Sequence, residues 1–555
     1  MENFFRGFKD FQNKKNPFKN VYNYGERTRK NNIKNPMLLT VIFTVMFVFL
    51  LFYISLPPIN PRSSSFWMFL IFSIGIFTGL YSIFSSMSIN QNKKIISYGM
   101  RSIVGILIFI FIMNILGSPI FNAKKYSKLI KVVPGDFAKD VKEVNFDRIP
   151  RVDRSTAIKL GAKKLGEMSS LVSQFDIDES YNQINQKGVP VRVTPLRYES
   201  FIKWFSNHND GIKYYVSVDM TTQEAKLNKL EKPIYYSESD KFQRNIRRHI
   251  RFKRPTYIFN EVYFEIDDDG NPKWVVPILK PKIMLFSGLD SDGVLVVDAN
   301  SGEIEEYDIK DTPAWVDRAY PSDLVFSQLE YNGKYKNGFF NLYLSQKGVT
   351  KPSEGYNYLS IDEDIYLYTG ITSVTGDESN IGFVLINMRT KETKFYALPS
   401  AEEVSVMKSA AGKVQEKGYD ATFPILINMK SRPTYFMALK DKADLTKMYS
   451  LVDAQSYQKV AVGETLTQVI ENYAEINSEI LKGEDQEKVI KVAEIIPTVV
   501  GGETQYFIKA EGESEIYTVK LEVNSIIPFI KPQDELIIKG LKLKNSFNIT
   551  ELKKK

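Results

Sequence analysis

The chain has 555 residues, an excess of eight positive charges, 43% apolar residues and no cysteine, so disulfides, thiolate catalysis and cysteine-ligated metals are excluded. Only two histidines, His208 and His249, are available for an imidazole-held zinc or a histidine triad. The length calls for several folded units, and 31 Tyr with 37 Phe favour sheet over helix bundle.

The first element is the uncharged run 37–56, MLLTVIFTVMFVFLLFYISL, long enough as a helix to cross a hydrocarbon core of about 30 Å. Pro57, Pro58 and Pro61 end it. A second run, 66–89, carries Trp67 at its edge, and a third covers 102–121. The first run begins after 36 polar residues and is followed by two more, which reads as a span and not as a signal peptide. Asn114 reads as interhelical hydrogen-bonding glue. Without paired charges or broken helices, the spans read as an anchor and not a transporter.

Twelve basic residues lie on one side of these spans: Arg6, Lys9, Lys14, Lys15, Lys19, Arg27, Arg29, Lys30 and Lys34 in the tail, with Lys93, Lys94 and Arg101. Arg62, Lys124, Lys125, Lys128 and Lys131 lie on the other. The asymmetry predicts a multi-pass cell-membrane protein with a cytoplasmic N-terminus and extracytoplasmic C-terminal domains.

Beyond the spans, STAIKLGAKKLGEMSSLVSQF predicts a helix capped by Ser155. Two stretches then share the pattern G-x-P-x-x-V-x-P-[LI], at Gly188–Leu196 and Gly270–Ile278. Each leads to a Gly-started strand ending at Asp219 or Asp298, with Glu224 or Glu303 five residues later. This is hairpin grammar in an internal duplication. Weaker echoes occur at Phe383–Phe395, around Asn387 and Glu392, and at Pro433–Asp453.

The helix followed by "G-x-P-x-x-V" and "V-V-D-A-x-x-G-E" strands resembles the PepSY type of extracytoplasmic module, over about 155–310. The whole chain resembles a group of membrane-anchored proteins of low-GC Gram-positive bacteria, some labelled as cell-shape proteins. The resemblance implies binding or inhibition of peptidases near the cell surface, and it supplies no catalytic residues. From about 484 onward, short alternating strands divided by turns at Gly501–Gly502, 511–514 and 532–534 predict a small closed barrel. Its layout resembles an OB-like fold, with a lead-in helix over Glu464–Leu481. This segment lacks a basic, aromatic platform, so nucleic acid is not an expected partner.

The expected fold class is therefore α+β. The expected organisation is a basic cytoplasmic tail (1–36), a three-helix membrane anchor (37–121), a linker (122–150) and PepSY-like tandem units (151–310). A second α+β region with degenerate repeats (311–482) and an OB-like barrel (483–555) follow.

One segment stands out as a binding candidate. Ser239–Arg254, SDKFQRNIRRHIRFKR, reads as a capped helix with Phe242, Ile246 and Ile250 on one face. Lys241, Arg244, Arg247, Arg248, Arg251, Lys253 and Arg254 cluster around it and would suit lipid headgroups, an anionic envelope polymer or an acidic protein surface. A solvated face paired with nearby acids accounts for the same charges. Asp267-Asp268-Asp269-Gly270 fails as a calcium loop, because Val276 falls where a bidentate Glu is needed, and reads as a hairpin turn. The aromatic stretch Trp315–Tyr343 fits an interaction surface or core packing equally well. No catalytic residue, metal site or cofactor is expected. The reading is a non-enzymatic, membrane-tethered binding or scaffold protein of the cell envelope, with a protein partner or homo-oligomer. Its alternatives are a PepSY-type peptidase regulator and a component of a surface, secretion, conjugation or phage-associated assembly.

Overall fold

The computed structural model describes residues 35–86, 93–143, 146, 149–374, 379–430, 432–477, 485–500, 503–542 and 546–555. The basic tail and the Gly501–Gly502 turn lie outside them. The chain forms two compact units, one running to Leu116 with Arg254–Thr256, the other comprising Gly117–Lys253 and Tyr257–Lys555.

The first unit holds three apolar helices, α1 (Pro36–Ser55), α2 (Ser64–Ser86) and α3 (Lys93–Gly117), each long enough to span a bilayer. This is a multi-pass membrane protein. Phe43–Phe84 and Phe52–Phe69 ring contacts, at 5.6 and 6.0 Å, join α1 to α2, and Trp67–Phe109 at 4.9 Å brings in α3. The third span starts and stops earlier than the run 102–121 implied. Pro119 has no N–H to continue the ladder, and a separate short helix, α4 (Pro119–Tyr126), begins there. Asn114 does not bridge helices through its amide nitrogen, which donates to the Ile110 carbonyl of its own helix at 2.9 Å.

The second unit contains one pattern four times, a helix followed by a four-stranded antiparallel meander. The first copy is α5 (Arg154–Gly166), β1 (Asn182–Gln186), β2 (Val189–Tyr198), β3 (Ile212–Asp219) and β4 (Ala225–Ile234), with α6 (Phe201–Asn207) between β2 and β3. The second is α7 (Ile246–Lys253), β5 (Tyr263–Ile266), β6 (Pro272–Ile283), β7 (Ser287–Asp298) and β8 (Ile304–Asp308). The third is α8 (Ser322–Tyr335), β9 (Asn357–Ile361), β10 (Asp364–Ser373), β11 (Ser379–Asn387) and β12 (Thr393–Tyr396). The fourth is α9 (Glu403–Gly412), β13 (Ile425–Met429), β14 (Arg432–Lys440), β15 (Thr446–Asp453) and β16 (Val460–Gly463), followed by α10 (Leu466–Ile476). Short strands extend three of the sheets; Val132–Pro134 joins the third in parallel with β12.

One turn recurs at the end of every third strand. Asp219, Asp298, Asn387 and Asp453 each accept, through Oδ1, the backbone N–H groups two and three residues ahead. The next residue then ties the repeat together. Met220, Ala299, Met388 and Ala454 donate to Pro190, Pro272, Ile365 and Pro433 at the start of the second strand. Their carbonyls accept from Arg151, from Tyr235 and Tyr236, from Tyr320 and from Ala401, which precede the helices. The side-chain acceptor spares the turn two orphaned donors, which is why only Asp and Asn occupy the position.

Neighbouring repeats share cores. In β7, Leu295 and Val297 join the cluster containing the first repeat's Val193 and Val216, while Val294 and Val296 pack with Leu367 and Ile386 of the third. In β11, Phe383 and Leu385 face the fourth repeat's Tyr435 and Met437. With both faces covered, the strands are apolar throughout and do not alternate. The helix cap differs from expectation: Asp153 accepts from Thr156 N at 2.9 Å, and Ser155 lies inside the first turn. A carboxylate three residues before that N–H is better placed than the serine.

Five strands, β17 (Asp485–Val500), β18 (Glu503–Ala510), β19 (Ile516–Lys520), β20 (Glu535–Lys542) and β21 (Ser546–Lys554), close a barrel in the order β17-β18-β19-β21-β20. The β19–β21 pair is parallel and the others are antiparallel. Ile490, Val492, Ile508, Val519, Ile538 and Phe547 fill it. Helix α10 is shorter than Glu464–Leu481, and residues 478–481 lie outside the described chain.

The recurrent turn makes a specific stability pattern testable. Asp298→Ala removes the acceptor of Asn300 N and Ser301 N and the 2.7 Å partner of Lys273, and is expected to cost about 1–2 kcal/mol. Asp298→Asn keeps the turn acceptor that Asn387 supplies in the third repeat, so its cost should be roughly half or less. Denaturant unfolding of the detergent-solubilised chain measures both; equal losses would refute the turn's role.

Candidate functional site

The four repeats touch in a closed sequence. The first three junctions are the shared cores described above. The fourth, between the last repeat and the first, is polar: Lys440 Nζ lies 2.7 Å from Asp153 Oδ2 and from Ser155 Oγ, Thr156 Oγ1 donates to Asp444 O at 2.9 Å, and Gln223 Nε2 donates to Tyr449 OH at 2.6 Å. Burial would raise the Asp153 carboxyl, but Lys440 and the Thr156 donors hold it below the usual carboxylate range.

At the meeting point is a cavity of about 780 Å³, within the size range of small-molecule sites. The first repeat contributes Arg154, Asn182 and Arg192; Tyr263 comes from the second, Arg318 and Tyr358 from the entry and first strand of the third, and Phe436 from the fourth. The first turns of α5 and α8 also line it, adding the positive ends of two helices.

Two buried guanidinium groups dominate its charge. Arg318, 3% exposed, stacks 3.8 Å over the Tyr358 ring and donates Nε to Asn182 Oδ1 at 3.1 Å. Arg192, 7% exposed, donates Nε to the Val152 carbonyl at 3.2 Å. Burial pulls the Arg192 pKa down to about 10, Asp153 opposes that fall, and Arg318 adds to it.

Behind Arg318 lie two buried carboxyls. Glu265 accepts from Asn182 Nδ2 at 3.3 Å and Asp317 N at 2.9 Å, and Asp317 accepts from Asn185 N at 2.7 Å. Burial pushes Glu265 up to about 7, against the Asp317 N–H and Arg318. Asp317 is raised well above its usual value by burial and by the neighbouring Glu265 carboxylate.

The sequence-predicted basic cluster has a different geometry. The stretch 239–254 is not one capped helix: a 3₁₀ turn at Phe242–Arg244 precedes α7, and Asn245 Oδ1 accepts from Arg248 N. Phe242, with φ of 50°, is exposed and leaves the apolar face to Ile246 and Ile250. Arg244 donates to His208 O and lies over the Tyr235 ring; Arg247 bonds Glu238 and Asn260 O; Arg248 donates to Phe242 O. Arg251 is 2% exposed, donates to Tyr257 O and covers Phe259, and burial brings its pKa down to about 10. Lys241 and Lys253 are exposed, and Arg254 belongs to the membrane unit. Most of these arginines thus hold loops in place through backbone carbonyls.

Beside Lys241 is an apolar surface absent from the sequence reading. Phe201, Ile202 and Phe205 of α6 and Phe242 are 57%, 73%, 67% and 53% exposed. The three phenylalanines surround Trp204, whose Nε1 donates to the buried Asp240 at 2.8 Å and whose ring stacks on His208 at 4.7 Å. His249 bonds the Gly302 carbonyl at 2.7 Å, and burial lowers its pKa. Asp267 accepts Asp269 N and Asn271 N in a hairpin turn. No group of three or more His, Asp or Glu suited to a metal occurs among the described residues.

No protein-family model and no curated protein matches this sequence.

The Glu265 geometry carries a pH dependence. The folded chain keeps a proton there that an ordinary Glu, at 4.5, has released, so stability from this group is present below about pH 4.5 and lost as pH rises through about 7. Glu265→Gln should therefore stabilise the chain at pH 8, on the order of 3 kcal/mol at about 1.36 kcal/mol per unit, and make no difference below pH of about 4.5. Thermal melts across that range measure it; a pH-independent difference would disprove the protonation.

Proposed function

We propose that this chain is a membrane-tethered, non-enzymatic binding or scaffold protein of the cell envelope, with its repeats and barrel on the extracytoplasmic side. The basic bias of residues 1–34 supports that orientation. The repeats are read as PepSY-like modules, supported by their helix-plus-hairpin composition, and the barrel as OB-like, supported by its 1-2-3-5-4 order with one parallel pair.

The observation that carries the binding role is the surface of Phe201, Ile202, Phe205 and Phe242. Three exposed phenylalanines in contact with one buried Trp, with the exposed Ile202 on the same helix and Lys203 and the exposed Lys241 nearby, have the apolar centre and charged edge of a protein-docking surface. The partner is a protein or a second copy of this chain. An anionic envelope polymer would engage the lysines but leave the phenyl rings in water.

The test is size-exclusion chromatography and pull-down of the detergent-solubilised full chain. The wild type is expected to retain a partner or run as a homo-oligomer. Ile202→Ser and Phe205→Ser should abolish this while changing stability by only about 0.5 kcal/mol, as these side chains are exposed. A monomeric, partnerless wild type would overturn the proposal. Protease treatment of intact cells should remove the C-terminal region and spare residues 1–34; the reverse result overturns the orientation.

A further inference from the structure

Arg192 makes a chemical demand that the protein itself does not meet. Its Nε is bonded to Val152 O, but its two terminal nitrogens have no hydrogen bond and no ion pair among the described residues, although the side chain lines the cavity. A guanidinium offers five donors in a planar fork and does not give up its charge under ordinary conditions, so a half-bonded fork opening on the cavity is left to water or to a ligand with matching acceptors. The nearest acid is already committed: Asp153 binds Lys440 and caps α5. Arg318 stands on the same lining, equally buried, and the two cations repel. Glu265 and Asp317 do not reach Arg192: Glu265 accepts from Asn182 and from Asp317 N, and Asp317 accepts from Asn185 N.

The rest of the lining defines what would. The N-terminal turns of α5 and α8 add positive potential. Asp153, Glu261 and Asp323 are the acids of the lining, against Arg151, Arg154, Arg192 and Arg318. Tyr263, Tyr356, Phe423 and Phe436 supply flat apolar walls. We propose that the cavity enclosed by the four repeats binds a small molecule that carries a carboxylate or phosphate on a planar, apolar body, with Arg192 and Arg318 gripping the oxyanion. This goes beyond the docking surface on α6 and does not depend on it.

The planar fork of Arg192 matches two oxygens of either anion at once. The same logic separates the two effects of the residue: it adds little to the stability of the empty fold and becomes the main source of affinity for an anion.

The experiment uses the full chain in detergent, followed by calorimetry and thermal melts with four probes: phenyl phosphate, benzoate, inorganic phosphate and the neutral benzyl alcohol. Saturable binding is expected for phenyl phosphate or benzoate, and which of the two binds identifies the anion. Benzyl alcohol should not bind, and inorganic phosphate should bind more weakly than its phenyl ester. Arg192→Met should lose at least roughly tenfold in affinity while melting at the same temperature as the wild type or higher. Arg192→Lys, which keeps the charge without the fork, should fall between. The proposal is overturned if neither aromatic anion binds, or if benzyl alcohol binds equally well. It is also overturned if ligand-free Arg192→Met melts several degrees lower, which would make Arg192 a structural residue.

Discussion

In each repeat one residue uses both of its backbone groups to hold three parts of the chain together. Met220, Ala299, Met388 and Ala454 donate to the second strand and accept from the segment entering the helix, immediately after a turn organised by Asp or Asn. The bond pair fixes where the entering segment lies against the meander. That position fixes the helix start, and the starts of α5 and α8 form part of the cavity wall. Shifting the stitch by one residue would reverse the inward and outward faces of β2, β6, β10 or β14. The cores on both sides of a middle sheet would be lost together.

The shared cores follow from the same regularity. A meander with a helix on one side leaves its other face apolar, and the next repeat covers it. The middle sheets therefore carry unbroken apolar stretches such as Val294–Val297 and Phe383–Ile386. Each buried aliphatic side chain contributes about 1.5–3 kcal/mol, which makes apolar junctions the main source of cohesion. The junction from the fourth repeat to the first is built instead from Lys440, Asp153, Asp444 and Thr156. A polar seam beside the cavity leaves room for charged lining that a fourth apolar core would have filled.

Local features were legible in the chain and distant ones were not. The three spans, the Gly188 and Gly270 hairpin turns and the Asp219 and Asp298 turns are short-range chemistry, set by residues a few positions apart. The third span's limits were misjudged because Pro119 outweighs the apolar residues after it. The basic cluster was legible as charge, but its bonds to His208, Asn260 and Tyr257 carbonyls depend on loops folding back onto it. Arg192 was hidden altogether. It sits among valines and prolines in β2, and its surroundings, Val152, Asn182 and Arg318, meet only through the contacts between repeats. Helix α6 was equally opaque, because nothing in FIKWFSN says that Trp204 turns inward while Phe201, Ile202 and Phe205 remain exposed.

The polar seam also sets an order in time. Asp153 and Lys440 are 287 positions apart, so their pairing is among the longest-range contacts of the repeats and carries a large loop-closure cost. The first two apolar junctions join segments that precede the fourth repeat and can form as the chain leaves the ribosome, whereas the third needs Tyr435 and Met437 of β14. The seam has to wait until the fourth repeat has been synthesised. The cavity is therefore completed only with the fourth repeat, and a chain truncated before β14 would retain Arg192 but lack the Phe436 wall and the Lys440 seam.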